Sequence, residues 1–531
     1  MKSPIDVLRQ YRPHNGTLHD AFQSRCEVRQ DDVFLVLAQE SLTWREFGAR
    51  YERFANALSA RGIGHGDRVA VMGPNDLVHL LALFALARLG AIMVPVNPEH
   101  RVRELNYALG HADVKGVIAH IDLLSLVEEA TQDFTRRPWT LCWGQSDAFS
   151  QDSVMQAIED VPAAIITDTV SASDTGVIIY TSGTTGFPKG VMHSQENLLL
   201  AGEANVARLH MQAEDRVMII LPFFHINALF YSLGGVLAAG ASMIIEPRFS
   251  ASRFWDVAAT RRATIVNIIE AIGSILCVRD RTEYRADHCL RIAYGVRKKA
   301  ATIFRNEFGI SRLFSGFGMT EVPGVTCNPY DGPDKAGSMG IIGIHPDPGR
   351  PWAQCRIVDD DGNDVEAGQT GELWIKSPIV MQGYFRDPEQ TEQAFEAGWF
   401  KTGDLVRRDA DGFYFHISRK KDIIRRRGEN IAAAEIEMVI AEHPNVFQVA
   451  ALAVPSELGE DDIFVAVVAR PASELTESDV AAWCTERLAA AKLPRYIVLL
   501  ESLPLTPTHK IAKAVLRNDA QLRSQAVDLQ R

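Results

Sequence analysis

Residues 180–190 read YTSGTTGFPKG. It is the most informative segment of the chain. It follows 176–180 (GVIIY), a short apolar run with the β-branched content of a buried strand. Gly183, Gly186 and Gly190 let the main chain turn tightly and bring backbone N–H groups close to a phosphate chain. Thr181, Ser182, Thr184 and Thr185 supply hydroxyl donors, and Lys189 supplies a fixed positive charge. The spacing is not that of the GxxxxGK[ST] loop, because Pro188 precedes the lysine and Gly190 follows it. A generic glycine run is usually a linker. Hydroxyls and one lysine set directly behind a strand point instead to an anion-binding loop.

Outward from this loop the chain alternates strand-like and helix-like segments. Residues 68–72 (RVAVM) end at the turn Gly73-Pro74-Asn75, residues 77–89 have helical character, and 91–96 and 114–119 read as buried strands. Downstream, 217–221, 242–245 and 264–268 repeat the pattern. Strands separated by helical stretches of this length predict βαβ units and parallel sheets, an α/β fold. From about residue 353 the character changes. Short strands at 355–358, 371–375 and 412–416 alternate with Asp-Gly turns at 360–362 and 411–412, an antiparallel or mixed sheet. Beyond 419–422 (RKKD) come a helix at 433–442, strands at 446–454 and 464–469, and a helix at 477–491. The expected organisation is a large N-terminal domain, 1–418, with layered βα subdomains and a small β-barrel-like part. A hinge at 419–422 and a small α+β domain at 423–531 complete it.

Composition narrows the function classes. A chain of 531 residues exceeds a single core at roughly 100–200 residues per domain. With 47% apolar and 23% charged residues it is globular rather than disordered. A net charge of −12 argues against a nucleic-acid binder, although basic residues crowd into 419–427. Seven scattered cysteines with no CxxC or zinc spacing predict buried thiols in a reducing cytoplasm. The greasiest stretch, 80–96, is interrupted by Arg88 and Gly90 and falls short of the roughly 20 residues a bilayer span needs. No signal core opens the chain, so neither secretion nor integral membrane association is expected.

Further motifs follow in order. They are Phe317-Gly318-Met319-Thr320-Glu321, Gly371-Glu372-Leu373, Gly383-Tyr384, Lys401-Thr402-Gly403-Asp404, Arg419, and 504–511 (PLTPTHKI) with Lys510. Together with 180–190 they resemble the signatures of the adenylate-forming superfamily: acyl-CoA synthetases, peptide-synthetase adenylation domains and firefly-type luciferases. The resemblance runs from about residue 42 to 513, and within the family it is loosely similar to carnitine/crotonobetaine-CoA ligases. It implies ATP, Mg²⁺ and coenzyme A, with a small carboxylic acid as the partner substrate. Thr181, Ser182, Gly183, Thr184, Thr185, Gly186 and Lys189 would hold the phosphates. Phe317 and Gly318 would lie near adenine, Thr320 at the α-phosphate, and Glu321 with Thr184 on the metal side. Asp404 and Arg419 would reach the ribose, and Lys510 would bridge the acyl carboxylate and the α-phosphate. Two departures stand out: His509 replaces the usual glycine before Lys510, and 293–299 (AYGVRKK) replaces the usual adenine-contact segment, with Gly295 as its one match.

The resemblance also implies a mobile C-terminal domain that rotates about Lys421. Arg427, Gly428 and Glu429, with the neighbouring Arg425 and Arg426, would then enter for the thiol step; a solvated basic edge is the competing reading of those arginines. Acyl-pocket candidates are Phe224, His225, Asn227, Gly316 and Val322, with Pro323 beside them. His225 is read as pocket-lining or structural, not as a base. Gly371–Leu373 and Gly383–Tyr384 are expected to be turns and core. The activity implied is ATP-dependent acid–thiol ligation: acyl-adenylate with release of pyrophosphate, then acyl-CoA with release of AMP. Loading of a carrier protein in trans, a luciferase-like oxygenase and a non-catalytic binding protein stay open as alternatives.

Overall fold

The computed structural model describes residues 1–144, 153–159, 170–181, 188–296, 298–426, 429–456, 461–471, 473–505 and 511–529. The chain forms two compact units, Met1–Gln354 with Lys376–Phe400, and Cys355–Ile375 with Lys401–Arg531. The sequence instead places the junction at 419–422, between 1–418 and 423–531. The strands on either side of the Asp-Gly turns belong by their contacts with the C-terminal segment.

The first unit is built on two seven-stranded sheets. One runs in the order Gly383–Tyr384, Lys189–Ser194, Thr175–Thr181, Ile92–Val96, Arg68–Met72, Gly116–His120, Trp139–Trp143. It is parallel from Thr175–Thr181 onward and antiparallel at the other end. The other runs Arg312–Phe314, Ile292–Tyr294, Ile265–Asn267, Arg216–Ile219, Ser242–Ile245, Val33–Val36, Ser41–Thr43. Only its last pair is antiparallel. The 80–96 stretch is the expected buried helix running into a strand. Helix Leu77–Arg88 is apolar all round and buried from Leu77 to Ala87, the signature of a helix with no solvent face.

Asn75 joins the two sheets. It follows the strand Arg68–Met72, its Nδ2 donates to the carbonyls of Leu221 (2.9 Å) and Glu246 (3.2 Å), and its Oδ1 accepts from Phe223 N at 2.9 Å. The residue that sequence marks as a turn thus ties the C-terminal ends of strands in both sheets. Ligands of open α/β sheets bind at those ends. A small antiparallel sheet, Gly316–Met319, Val322–Cys327 and Ile341–Ile342, completes the unit, with Thr320 and Glu321 as the two-residue turn between its first two strands.

The second unit holds most of four strands of a five-stranded sheet: Gln354–Val358, Thr370–Lys376, Trp399–Arg408 and Tyr414–Arg419. A hairpin of Ile423–Arg426 and Glu429–Ala432 follows. Then comes a four-stranded mixed sheet of Val446–Pro455, Asp461–Ala469, Tyr496–Leu500 and Val527–Asp528. Alternate residues of its central strand feed two apolar clusters: Ile463, Val465 and Val467 pack with helices Ala433–Ala441 and Glu477–Arg487, while Phe464, Ala466 and Val468 pack with Leu516. The period of two along a strand, with cover on both faces, explains why this stretch reads as continuously apolar.

Candidate active site

The glycine-rich segment is flanked by two paired strands. Thr175–Thr181 and Lys189–Ser194 pair antiparallel, with Thr181 opposite Lys189. Both residues therefore stand at the base of the loop. Ser182, Gly183, Thr184, Thr185 and Gly186 lie outside the described residues. The short strand Gly383–Tyr384 is pinned on the loop's exit strand, with Tyr384 opposite Val191, Phe385 N donating to Gly190 O at 2.7 Å and Gln382 N to Met192 O at 2.9 Å. This docking brings the Tyr384 ring under Lys189, whose Nζ sits 4.5 Å from the ring centroid. A cation–π contact of this kind orients the ammonium without neutralising it.

Glu321 joins the same cluster. The Tyr384 hydroxyl donates to Glu321 Oε1 at 3.0 Å, and Met381 N donates to Glu321 O at 2.7 Å. Its neighbour Thr320 is held through its carbonyl, which accepts from His193 Nε2 at 2.7 Å. Burial pushes the His193 pKa down to about 4. The ring is therefore neutral and can carry its proton on Nε2, as that bond requires. Phe317 N donates to Thr326 Oγ1 at 3.1 Å, and the Phe317 side chain is itself buried. Gly318 has no room for a side chain: a Cβ there would lie 2.3 Å from Tyr231 Oη and 2.4 Å from Gly324 N. Tyr384 occupies one oxygen of Glu321 and leaves Oε2 outside that bond. A magnesium ion carried by a triphosphate takes only one or two protein carboxylates, so Glu321 suits it. Among the described residues no group of three or more His, Cys, Asp or Glu is placed to hold a metal alone.

In the second unit Asp404 is almost fully buried. It faces Arg419 across the strand pair, and its Oδ1 is 3.0 Å from both Arg419 Nε and His416 Nε2. Asp404 Oδ2 is closed off from solvent and has no hydrogen-bond partner among the described residues. A buried carboxylate oxygen without a donor is costly, and a sugar hydroxyl would satisfy it. The strand is braced from its neighbour: Thr402 Oγ1 donates to Leu373 O at 2.8 Å, and Gly403 N donates to Glu372 Oε1 at 3.1 Å. Lys420 closes the brace on Glu372 Oε2 at 3.3 Å.

The acyl-pocket candidates also lie in the first unit. His225 N donates to Pro222 O at 3.1 Å, and the Phe224 and His225 rings are 4.3 Å apart. From Asn227 to Leu233 the chain forms a π-helix, a wide turn frequent at functional sites. Gly316 and Val322 stand on the hairpin that carries Thr320 and Glu321. Gly295 ends the strand Ile292–Tyr294.

Residues 22–385 match the family model described as AMP-binding enzyme, and residues 435–510 match the model of its C-terminal domain. The chain belongs to the AMP-binding enzyme family. The long-chain-fatty-acid–CoA ligase FadD13 of Mycobacterium tuberculosis is 32% identical over 90% of this chain and 92% of its own. The crotonobetaine/carnitine–CoA ligase of Citrobacter koseri is 29% identical over 94% and 98%. ATP-bound MatB from Rhodopseudomonas palustris superposes with a TM-score of 0.83 at 28% identity, covering 94% of this chain and 98% of that one. The protein stands in the acyl-CoA ligase branch of the adenylate-forming superfamily and is an AMP-forming acid–CoA ligase. No helix among its described residues is long and apolar enough to cross a membrane.

Within this AMP-binding enzyme three sequence expectations need correction. Gly383–Tyr384 is not a turn but a strand, and its tyrosine touches both Lys189 and Glu321. Glu372, expected as core, holds the main chain beside Asp404. Arg426 is not available to a phosphate, because it is buried against Asp462 at 3.6 Å and donates to the carbonyl of Leu493. His193 and His416 were missed altogether. Each lies within a strand, Lys189–Ser194 or Tyr414–Arg419, where a lone histidine carries no local signal; only the folded pairing shows what it meets. Lys510, Arg427 and Gly428 lie outside the described residues; Glu429 opens the strand Glu429–Ala432, and Lys421 sits in the short helical turn Lys420–Asp422.

Proposed function

We propose that the ligase binds Mg-ATP across the glycine-rich hairpin and the Thr320–Glu321 turn, adenylates a carboxylic acid there, and passes the acyl group to coenzyme A. The observation that carries this reading is the Lys189–Tyr384–Glu321 cluster. It sets a cation on the ring and a carboxylate on the hydroxyl of one tyrosine at the base of the glycine-rich segment. An acid oxygen attacks the α-phosphorus and the bond to pyrophosphate breaks. Lys189 and the loop hydroxyls take the leaving pyrophosphate, and Thr320 contacts the α-phosphate. Asp404, through Oδ2, and Arg419 anchor the ribose. Glu321 and Thr184 would hold the magnesium of the nucleotide, which would supply charge neutralisation. Lys510 bridges the two reacting anions. The C-terminal segment then turns about Lys421 and brings Arg427, Gly428 and Glu429 to the thiol, whose sulfur attacks the acyl carbon as AMP leaves.

The test is pyrophosphate release from Mg-ATP with a panel of carboxylic acids, each with and without CoA. Acid-dependent release, with AMP and an acyl-CoA as products, is expected. Lys510→Ala should lose this release by orders of magnitude yet still form thioester from supplied acyl-adenylate. Equal loss of both steps would sink the two-position mechanism. Release without CoA-dependent turnover would move the acceptor to a carrier protein.

A further inference from the structure

The π-helix Asn227–Leu233 places residues five apart over one another, as the bond from Gly234 N to Leu229 O shows. Asn227 and Ser232 therefore share a face. Asn267 Nδ2 donates to Ser232 Oγ at 2.7 Å and extends the same polar line. Asn267 ends the strand Ile265–Asn267 and pairs in register with Tyr294. The Tyr294 hydroxyl lies 2.7 Å from where a Cβ at Gly316 would stand, and the Tyr231 hydroxyl 2.3 Å from that of Gly318. The two tyrosine rings are 5.8 Å apart. Tyr231 and Tyr294, the neighbours of Ser232 in the chain and of Asn267 across the sheet, thus lie against the strand Gly316–Met319, which leads into the turn Thr320–Glu321.

Two acceptors in this line are unused. Asn227 Oδ1 and Asn267 Oδ1 are buried and have no hydrogen-bond partner among the described residues, and Asn267 as a whole is only 3% exposed. An alkyl tail seated here would leave both amide oxygens unpaired, which is unfavourable in a site closed to water. We propose that the acyl pocket takes an acid whose tail carries a hydrogen-bond donor, a hydroxyl or an amino group, received by Asn267 Oδ1 and Asn227 Oδ1. This rests on the ligase reading above and names its substrate class. Both unused atoms accept, so a methyl, ether or ketone at that place does not answer them.

The experiment uses the full-length enzyme with Mg-ATP and CoA. Pyrophosphate release is followed for sets of acids matched in chain length, with tails ending in methyl, hydroxyl, amino or oxo. At the best chain length, the hydroxyl or amino acid is expected to exceed its methyl counterpart in kcat/KM by about tenfold or more; which of the two wins separates the two donor chemistries. Asn267→Leu should collapse that ratio with the KM for ATP unchanged. Asn227→Leu, at the less buried end of the line, supplies the same reading if Asn267→Leu fails to fold. Methyl-ended acids used equally well, or oxo acids preferred over hydroxy acids, overturn the donor assignment. An unchanged ratio in the variants overturns the residue assignment. Release with none of the acids overturns the ligase reading itself.

Discussion

Tyr384 touches two groups that the proposed chemistry keeps apart in role, the loop lysine and the metal-side carboxylate. Its hydroxyl and its ring can be separated by mutation. Tyr384→Phe keeps the ring under Lys189 and removes the donor to Glu321 Oε1, so Glu321 is free to rotate. We expect pyrophosphate release to fall about tenfold and the Mg²⁺ concentration for half-maximal rate to rise, with the KM for ATP at saturating Mg²⁺ little changed. Tyr384→Leu also removes the cation–π contact, worth roughly 0.5–1 kcal/mol, and should raise the KM for ATP as well. A Phe variant with wild-type magnesium dependence would remove Tyr384 from this role. The residue was visible in sequence as half of Gly383–Tyr384 but not as a site residue. Its partners stand 63 and 195 positions away and meet it only through the strand pairing with Val191.

At the scale of elements, the parallel strands were readable because burial on both faces writes a continuous apolar run. Residues 68–72 and 242–245 were delimited to the residue. The strand Lys189–Ser194 was not, because KGVMHS has neither such a run nor clean alternation, and its place is set by docking against Thr175–Thr181. For the same reason the antiparallel pairing of the two strands that flank the glycine-rich segment was not foreseen. The hairpin of Gly316–Met319 and Val322–Cys327 offers a sharper test of geometry. In Gly318→Ala the new methyl meets Tyr231 Oη and, more rigidly, the backbone nitrogen of Gly324. The strand must shift, and with it Thr320 and Glu321. A displacement near 1 Å typically costs about 10²-fold in rate. We expect that loss in adenylation while the far-ultraviolet spectrum stays wild type. Adding Tyr231→Phe should not restore activity, since the backbone clash persists. Full rescue by the double variant would show that the hydroxyl alone sets the spacing.

Across the whole molecule, two buried histidines link stability to pH. Burial lowers the pKa of His193 to about 4 and that of His79 to about 3. His193 supports the Thr320 carbonyl, and His79 stacks on Phe223, the residue whose N–H Asn75 receives. In the unfolded chain both rings titrate near the ordinary value of about 6.5. Between those limits the unfolded state binds protons that the native state refuses. Their contribution is therefore complete above about pH 6.5 and is lost as the pH falls toward 4, each ring adding a slope of up to about 1.4 kcal/mol per pH unit. Glu203 acts below that window: burial alone would raise its pKa, but hydrogen bonds from His14 and His345 more than offset this and hold it low. Its contribution is present above the ordinary glutamate value of about 4.3 and declines beneath it. Denaturant melts between pH 7.5 and 4.5 should show a steady fall in stability starting near pH 6.5, before carboxylates titrate. His193→Gln keeps an amide donor for Thr320 but cannot be protonated. It should match the wild type within about 1 kcal/mol at pH 7.5 and lose visibly less stability by pH 4.5. A variant whose stability falls as steeply as the wild type over that range would show that His193 is not among the groups that set the acid limit.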